Sequence, residues 1–385
     1  MSSKIKVLQV IPKLGYGGAE TGCYDIAHYL AEKDCGSFIA TSGGQLLKFV
    51  KKKKVKIFRL PVHSKNPILI LINAIILTLL ILFNSINIVH ARSRAPAWSC
   101  YIACCITRVK FVTTFHGTYE FKNNLKKFYN SVMLKSKLTI AGSNFIFNHI
   151  NDNYGKYLDK KKKLRVIFRG INIDYYNQKN ISFLKQEKVK KEWQLLPNQF
   201  TIILPGRLTP WKGQEKLIEA LNILVEDYNN ANFQAIILGS DQGRKVYKKR
   251  LIDLVQRYRL GKKIKFIDHC KEMPVAYSLA DVVVSASTRP EAFGRVAVEA
   301  QAMGKPIIAS NLGGSQETIL KNKSGYLYKH DDPRELAKIL NSVIELDQVS
   351  LNSLGIEGRK NIKKKFDVEA MCDSTLREYK KLLNI

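Results

Sequence analysis

Acidic residues are scarce in this chain: 32 Asp and Glu stand against 63 Lys and Arg, a formal net charge of +31. Such a field attracts polyanions, meaning nucleic acid, an anionic membrane face or phosphorylated small molecules. Aromatics are missing from the basic runs Lys51 to Lys54, Lys160 to Lys163, Lys248 to Arg250 and Lys363 to Lys365. A stacking platform for single strands would interleave them, so specific nucleic-acid binding is not expected. Solvated lysine surfaces would leave the same runs.

Metal-site cysteine spacing is absent as well. The cysteines number seven, and Cys100, Cys104 and Cys105 have neither a second CxxC nor a His pair. Buried free thiols in a reducing compartment are the reading, with no metal site. The start, "MSSKIKVLQVI", lacks the apolar core and cleavage site of a secretory leader, so a cytoplasmic protein is expected. No apolar run reaches membrane-spanning length. The longest, "ILILINAIILTLLILF" at 68–83, has only Asn73 and Thr78 as interruptions. Sixteen helical residues cover about 24 Å, short of a hydrocarbon core of roughly 30 Å. A buried helix is the plain expectation; a helix with one face on a membrane is the functional alternative.

What is present is a globular composition, 45% apolar, in a length of 385 that calls for two domains. The first half alternates helical stretches with continuous apolar runs such as "IKVLQVI", "SFIAT", "INIVHA" and "KFVTTFH". The second repeats the scheme with "FTIILPG", "NFQAIILGS", "DVVVSAS" and "KPIIAS". Continuous rather than alternating runs fit parallel strands covered on both faces. Two βα-alternating domains follow, joined by a polar connector near 175–195. In such sheets ligands bind at the carboxyl ends of strands.

Three stretches could carry chemistry. After the first strand, "IPKLGYGGAETG" places Gly15, Gly17 and Gly18 before a helix whose free N–H groups suit a phosphate or sugar oxygen. It is not a dinucleotide fingerprint, because the third glycine of GxGxxG would fall on Glu20; a tight turn alone would use the same glycines. In "LPGRLTPWKGQEK", Arg207 and Lys212 stand in a loop bounded by Gly206 and Gly213. A forked guanidinium and a point-charge ammonium at a strand end are arranged as for a diphosphate. In "RPEAFGRVAVEAQAMG", Glu291 falls in the loop after a strand and Glu299 about one turn into the helix that follows Gly294. Eight residues of unbroken helix would hold the two acids roughly 12 Å apart. With one on the loop, both can address a single extended ligand. Near a diphosphate they would repel it, so hydroxyls are their expected partners. On that helix Val296, Ala300 and Met303 share a face, with Glu299 at its border.

Together, Gly17–Gly18–Ala19–Glu20, Gly206–Arg207 with Lys212–Gly213, and Glu291-x7-Glu299 followed by "MGKPIIASNLGGSQETI" resemble glycosyltransferase family 4, the "glycosyl transferases group 1" type. The resemblance covers nearly all the chain and is most specific at 204–327. It implies an α/β GT-B fold: two facing Rossmann-like doubly wound domains with the active-site cleft between them. The expected division is 1–180 for the acceptor, 181–365 for the donor, and a C-terminal helix at 366–385 packing back on the first domain. It also implies transfer of a sugar, with retention and without a metal, from a UDP- or GDP-linked donor, a co-substrate with no further cofactor. By the same resemblance Arg207 and Lys212 hold the donor diphosphate, Glu291 the sugar and Glu299 the ribose. His116 of "TFHG" lies beside the reacting sugar. Gly17, Gly18, Phe293, Gly294, Gly313 and Gly314 line the donor side. One departure stands out: Arg169–Gly170–Ile171–Asn172 replaces the family's usual Asn-Gly-Val-Asp. The lysine run 51–54 and the oily helix suit a lipid-linked or envelope acceptor of lipopolysaccharide type, met at the inner face of an anionic membrane. A nucleotide-sugar epimerase or phosphorylase of the same fold is the nearer alternative, and a basic nucleic-acid-binding protein the more distant one.

Overall fold

The computed structural model describes residues 5–158 and 163–385. Residues 1–4, and all of the basic run 160–163 except Lys163, lie outside the described residues. The chain forms two compact units, residues 1–170 with 368–385 and residues 171–367. Residues 171–180 therefore belong to the second unit and not, as the expected boundary had it, to the first. Ile171 N–H donates to Phe366 O at 2.9 Å, and Tyr176 packs edge-on against Tyr277.

In the first unit the chain runs β1 (Lys6–Val10), α1 (Gly18–Glu32), β2 (Gly36–Thr41), β3 (Val55–Arg59), α2 (Pro67–Phe83) and β4 (Ile88–Ala91). It continues through α3 (Arg94–Thr107), β5 (Lys110–Phe115), α4 (Asn124–Ser131), β6 (Leu138–Ala141), α5 (Asn144–Tyr154) and β7 (Lys163–Val166). The seven strands are parallel in the order β3-β2-β1-β4-β5-β6-β7. Strand order reverses between β1 and β4, which makes that pair the switch point where a doubly wound sheet opens a crevice. Central strands are buried along most of their length, which is why their sequences are mainly apolar, with Gln9, His90, Thr113, Thr114 and Thr139 buried among the Val, Ile and Leu.

The second unit begins with α6 (Phe183–Glu192), then β8 (Phe200–Pro205), α7 (Gln214–Glu226), β9 (Phe233–Leu238), α8 (Lys245–Arg257) and β10 (Ile264–Ile267). After these come α9 (Met273–Ser278), β11 (Val282–Ser285), α10 (Arg295–Ala302), β12 (Ile307–Ser310), α11 (Ser315–Thr318) and β13 (Gly325–Tyr328). Two helices close the unit, α12 (Pro333–Ile344) and α13 (Gln348–Lys365). Its six parallel strands are ordered β10-β9-β8-β11-β12-β13, so β8 and β11 flank the switch point. The last helix, α14 (Val368–Leu383), returns to the first unit. There Met371, Cys372, Leu376 and Tyr379 join Ile5, Val7 and Ile88 in one core.

Helix α2 departs from the buried-helix expectation. Only Asn73, Ala74, Leu77 and Ile81 are buried; Ile68, Leu71, Ile72, Ile75, Leu79, Leu82 and Phe83 are exposed. No helix among the described residues is long and apolar enough to cross a membrane.

Candidate functional site

The second unit gathers its charged groups where β8 and β11 end. The β8 loop passes through Gly206 and Arg207 into a short 3-10 turn, Pro210–Lys212, and stops at Gly213. Gly213 has φ +72°, and a Cβ there would stand 1.7 Å from Ala286 O of the β11 loop, so only glycine fits. Thr288 N–H donates to Trp211 O at 2.8 Å, which ties the two loops together. The Lys212 stem lies across Gly206, and its ammonium sits 4.5 Å from the Trp211 ring centroid.

That ammonium meets Glu291. Lys212 Nζ donates to Glu291 Oε1 at 2.7 Å, and Ser287 Oγ donates to the same oxygen at 2.5 Å. Both side chains are largely shielded, 13% and 12% exposed, so solvent screens the pair less than a surface one. Arg207 is exposed beside it in sequence, and no acid among the described residues pairs with it. The glycine pair after β12 fixes the acid's loop. Gly314 N–H donates to Glu291 O at 2.8 Å, and a Cβ on Gly313, at φ +55°, would stand 2.4 Å from Glu291 O. Phe293 turns its ring into the core against Phe366, at 5.7 Å between centroids. Gly294, at φ +74°, is the N-cap of α10.

Glu299 lies deeper than its border position on the helical wheel implied. Residues 297 to 302 of α10 are all buried, because α13 covers the helix at close range. A Cβ on Gly355 of α13 would stand 2.0 Å from Gly304 O, and one on Gly358 would stand 3.0 Å from the Gln301 side chain. The Glu299 carboxylate accepts from Arg295 Nε at 2.5 Å and from Tyr277 OH at 2.8 Å. A buried carboxylate needs such partners; Tyr176 also hydrogen-bonds to it, and of the roughly four lone-pair sites of an ionised carboxylate these three partners leave about one for a ligand hydroxyl. The carboxylate raises the Arg295 pKa further, against burial, while burial first and this charge second raise that of Tyr277. Tyr176 adjoins the same pair. The sequence reading missed Arg295, Tyr277 and Ser287. The i, i+4 spacing of Arg295 and Glu299 is the one signal that was visible.

In the first unit the glycine loop follows β1, one strand of its switch point. Gly17 is the N-cap of α1 without a side-chain cap, and the Glu20 carboxylate folds back over it. Arg169, the departure from the family pattern, packs its guanidinium on Gly18 and donates to Gly18 O. His116 follows β5. Its two ring nitrogens are removed from solvent, and neither bonds to a group among the described residues. Burial, then the charges of Arg169 and Arg92, holds its pKa well below that of an ordinary histidine, so the ring is neutral at pH 7. A neutral imidazole with both nitrogens unpaired can donate one hydrogen bond and accept another. Beside it His90, which the sequence reading did not single out, is fully engaged with Tyr379 OH at 2.6 Å and Thr114 Oγ1 at 2.7 Å. His90 thereby anchors α14 to the sheet.

Comparison with known proteins agrees with the two-unit fold. The family "Glycosyl transferases group 1" matches residues 185–363, and "Glycosyltransferase Family 4" matches residues 16–175. The chain is similar to a crystallised glycosyltransferase from Rickettsia africae, at 35% identity and TM-score 0.90 over 99% of each chain. Anabaena HepE in complex with UDP-glucose shares the fold, at 23% identity and TM-score 0.83 over 98% of this chain and 100% of that one. A D-inositol 3-phosphate glycosyltransferase of Corynebacterium glutamicum is 27% identical over 191 residues, 49% of this chain. The chain spans 45% of that relative's length. The two doubly wound units, the groups at the β8–β11 switch point and these likenesses agree: the chain belongs to glycosyltransferase family 4, the group 1 type, with the GT-B fold.

Proposed function

We propose that this protein moves a sugar from a nucleotide-diphosphate donor to an acceptor hydroxyl with retention of anomeric configuration. The observation that carries the reading is the shielded Lys212–Glu291 pair, with Arg207 in the same loop, at the switch point of the second unit. Arg207 and Lys212 meet the diphosphate and stabilise the charge that develops as it departs, so no metal is required of this site. Glu291 accepts hydrogen bonds from sugar hydroxyls, and Glu299, already oriented by Arg295 and Tyr277, from the ribose. Neutral His116 is suited to donate to one hydroxyl and accept from another on the reacting sugar. The acceptor oxygen bonds to the anomeric carbon as the carbon–phosphate-oxygen bond breaks on the same face. The acceptor proton passes to the leaving phosphate. No protein nucleophile is assigned. The Gly17–Gly18 loop at the start of α1, beside the Arg169 guanidinium, suits donor oxygens.

The acceptor we infer to be a lipid-linked or envelope glycan reached at the inner face of an anionic membrane, in keeping with the +31 charge. The test incubates the protein with UDP-glucose, UDP-galactose and GDP-mannose and follows each by proton NMR. Slow release of nucleoside diphosphate with the α-sugar as first product supports a retaining transferase. A changed sugar still linked to its nucleotide means an epimerase, and a β-sugar as first product refutes retention.

A further inference from the structure

Helix α2 is built the wrong way round for water. Its start is well specified: Pro67 takes the first position and the Asn66 side chain accepts from Ile68 N–H at 2.9 Å. Its polar interruptions stay off the exposed row, Asn73 buried and Thr78 half-buried. Asn73 is buried and donates through Nδ2 to Pro61 O at 3.2 Å, while Thr78 bonds back to Ala74 O at 2.8 Å. Ala74, Leu77 and Ile81 face the core with Asn73, and the other face is wholly apolar and points out. Ile68, Leu71, Ile72, Ile75, Leu79 and Leu82 recur at steps of three and four, which places them on one face within about 60° of its midline. Ile75 and Leu82 are each 61% exposed and the terminal Phe83 is 83% exposed, and no polar residue interrupts the stripe. An unbroken exposed row of this kind marks an interaction surface.

The surroundings extend it. Helix α3 lies along α2, with Ser99 Oγ donating to Ile70 O at 2.9 Å, and adds exposed Ile106. Trp98 of α3 in turn packs on Phe128 of α4, where Leu125 and Phe128 are exposed. Charge decides the occupant. Residues 61–137 hold ten Lys or Arg against the single acid Glu120, and Lys65, Arg108, Lys122, Lys126 and Lys137 are exposed. A second copy of this chain would bring the same cations face to face, whereas an anionic bilayer complements both the oily stripe and its basic surround. At 17 residues α2 is about 25 Å long, too short to span but of a length to lie in the interface plane.

We propose that the exposed face of α2 inserts into the headgroup–acyl boundary of an anionic membrane, with the neighbouring lysines and arginines on phosphate headgroups. This deepens the membrane part of the proposed function and rests on it; the donor chemistry does not enter.

The experiment is cosedimentation of the full chain with vesicles of phosphatidylglycerol and phosphatidylethanolamine, and with pure phosphatidylcholine, from low to high salt. Wild type should pellet with the anionic vesicles. Ile75→Ser should weaken partitioning roughly tenfold, and Leu71→Ser/Ile75→Ser/Leu79→Ser on the order of a hundredfold or more. Lys122→Gln/Lys126→Gln should bind the anionic vesicles more weakly than wild type at low salt, with the difference shrinking as salt rises. The substituted positions are exposed, so melting temperature and nucleoside-diphosphate affinity should stay at wild-type values, which separates this proposal from the donor-site reading. Wild type left in the supernatant at low salt overturns it. So does a triple variant that binds as wild type does, since charge alone would then hold the protein. A wild-type dimer that the triple variant lacks, with no vesicle binding by either, also overturns it and assigns the stripe to a second copy.

Discussion

Substituting Gln for Glu291 removes one negative charge from beside Lys212 while keeping the side chain's shape and an oxygen for Ser287. Unit charges about 4 Å apart at an effective dielectric near 20 attract by roughly 4 kcal/mol, and desolvation cancels most of that. Exposed pairs retain about 0–1 kcal/mol. This one is 2.7 Å long and about seven-eighths shielded, so it should retain somewhat more, about 1.5 kcal/mol, the low end for a hydrogen bond to a charged group. A diphosphate must draw Lys212 away from, or share it with, Glu291. Releasing that hold should tighten UDP or GDP binding by about tenfold, since 1.4 kcal/mol is a factor of ten. Lys212→Ala should weaken the same binding by roughly ten- to a hundredfold through loss of a charge-assisted contact. Glu291→Gln should nevertheless slow sugar transfer, because the amide no longer offers the sugar a charged acceptor. Isothermal titration at fixed ionic strength gives the affinities, and nucleoside-diphosphate release from the nucleotide sugar gives the rate. If Glu291→Gln weakens nucleotide binding as much as Lys212→Ala does, the competition is wrong. Unchanged turnover in Glu291→Gln would remove this acid from the site.

Gly213→Ala should cost at least about 2 kcal/mol, from a left-handed backbone and a Cβ placed against Ala286 O, and lower the second unit's melting temperature by about 4–8 °C; a thermal scan unchanged within a degree would contradict it. Tyr277→Phe strips a hydrogen bond from buried Glu299, so stability should fall by about 1–3 kcal/mol in a denaturant titration, with nucleotide affinity reduced as well. The first unit should weaken in acid. His90 and His116 have folded pKa values well below the unfolded value of about 6.5, so the unfolded chain binds more protons below that pH and stability falls as pH drops through it. At pH 5.5 each should cost about 1.4 kcal/mol relative to neutral pH, read as earlier melting of the first unit by hydrogen exchange; equal stability at pH 7.5 and 5.5 would show that the rings are not held neutral.

The strands were legible because parallel sheets bury both faces, so β1, β8 and β11 appear as mainly apolar runs without strict alternation. The positions of Arg207, Lys212 and Glu291 at strand ends followed from the same runs and from the glycines that bound the loops. What the sequence left open was tertiary. Periodicity put Glu299 at the edge of a packed face, but α13 lies over α10 through Gly355 and Gly358 and encloses the acid, which accounts for its bonds to Arg295 and Tyr277. Composition marked 68–83 as oily without telling which side faces water. That depended on Asn73 finding Pro61 O, a contact no pattern encodes. Arg169 was visible as a departure, yet its place on Gly18, 151 residues away in sequence, required the fold.

Hydrogen–deuterium exchange of the full chain with and without UDP or GDP tests the central claim most directly, because it reads the donor site segment by segment. The account predicts that one of these diphosphates slows exchange in residues 205–214, 286–299 and 312–316, where the loops after β8, β11 and β12 carry Arg207, Lys212, Glu291 and the Gly313–Gly314 pair. Lys212→Ala should abolish that protection at the same ligand concentration. Unaltered exchange in all three segments at millimolar UDP and GDP, or equal protection in Lys212→Ala, would contradict it.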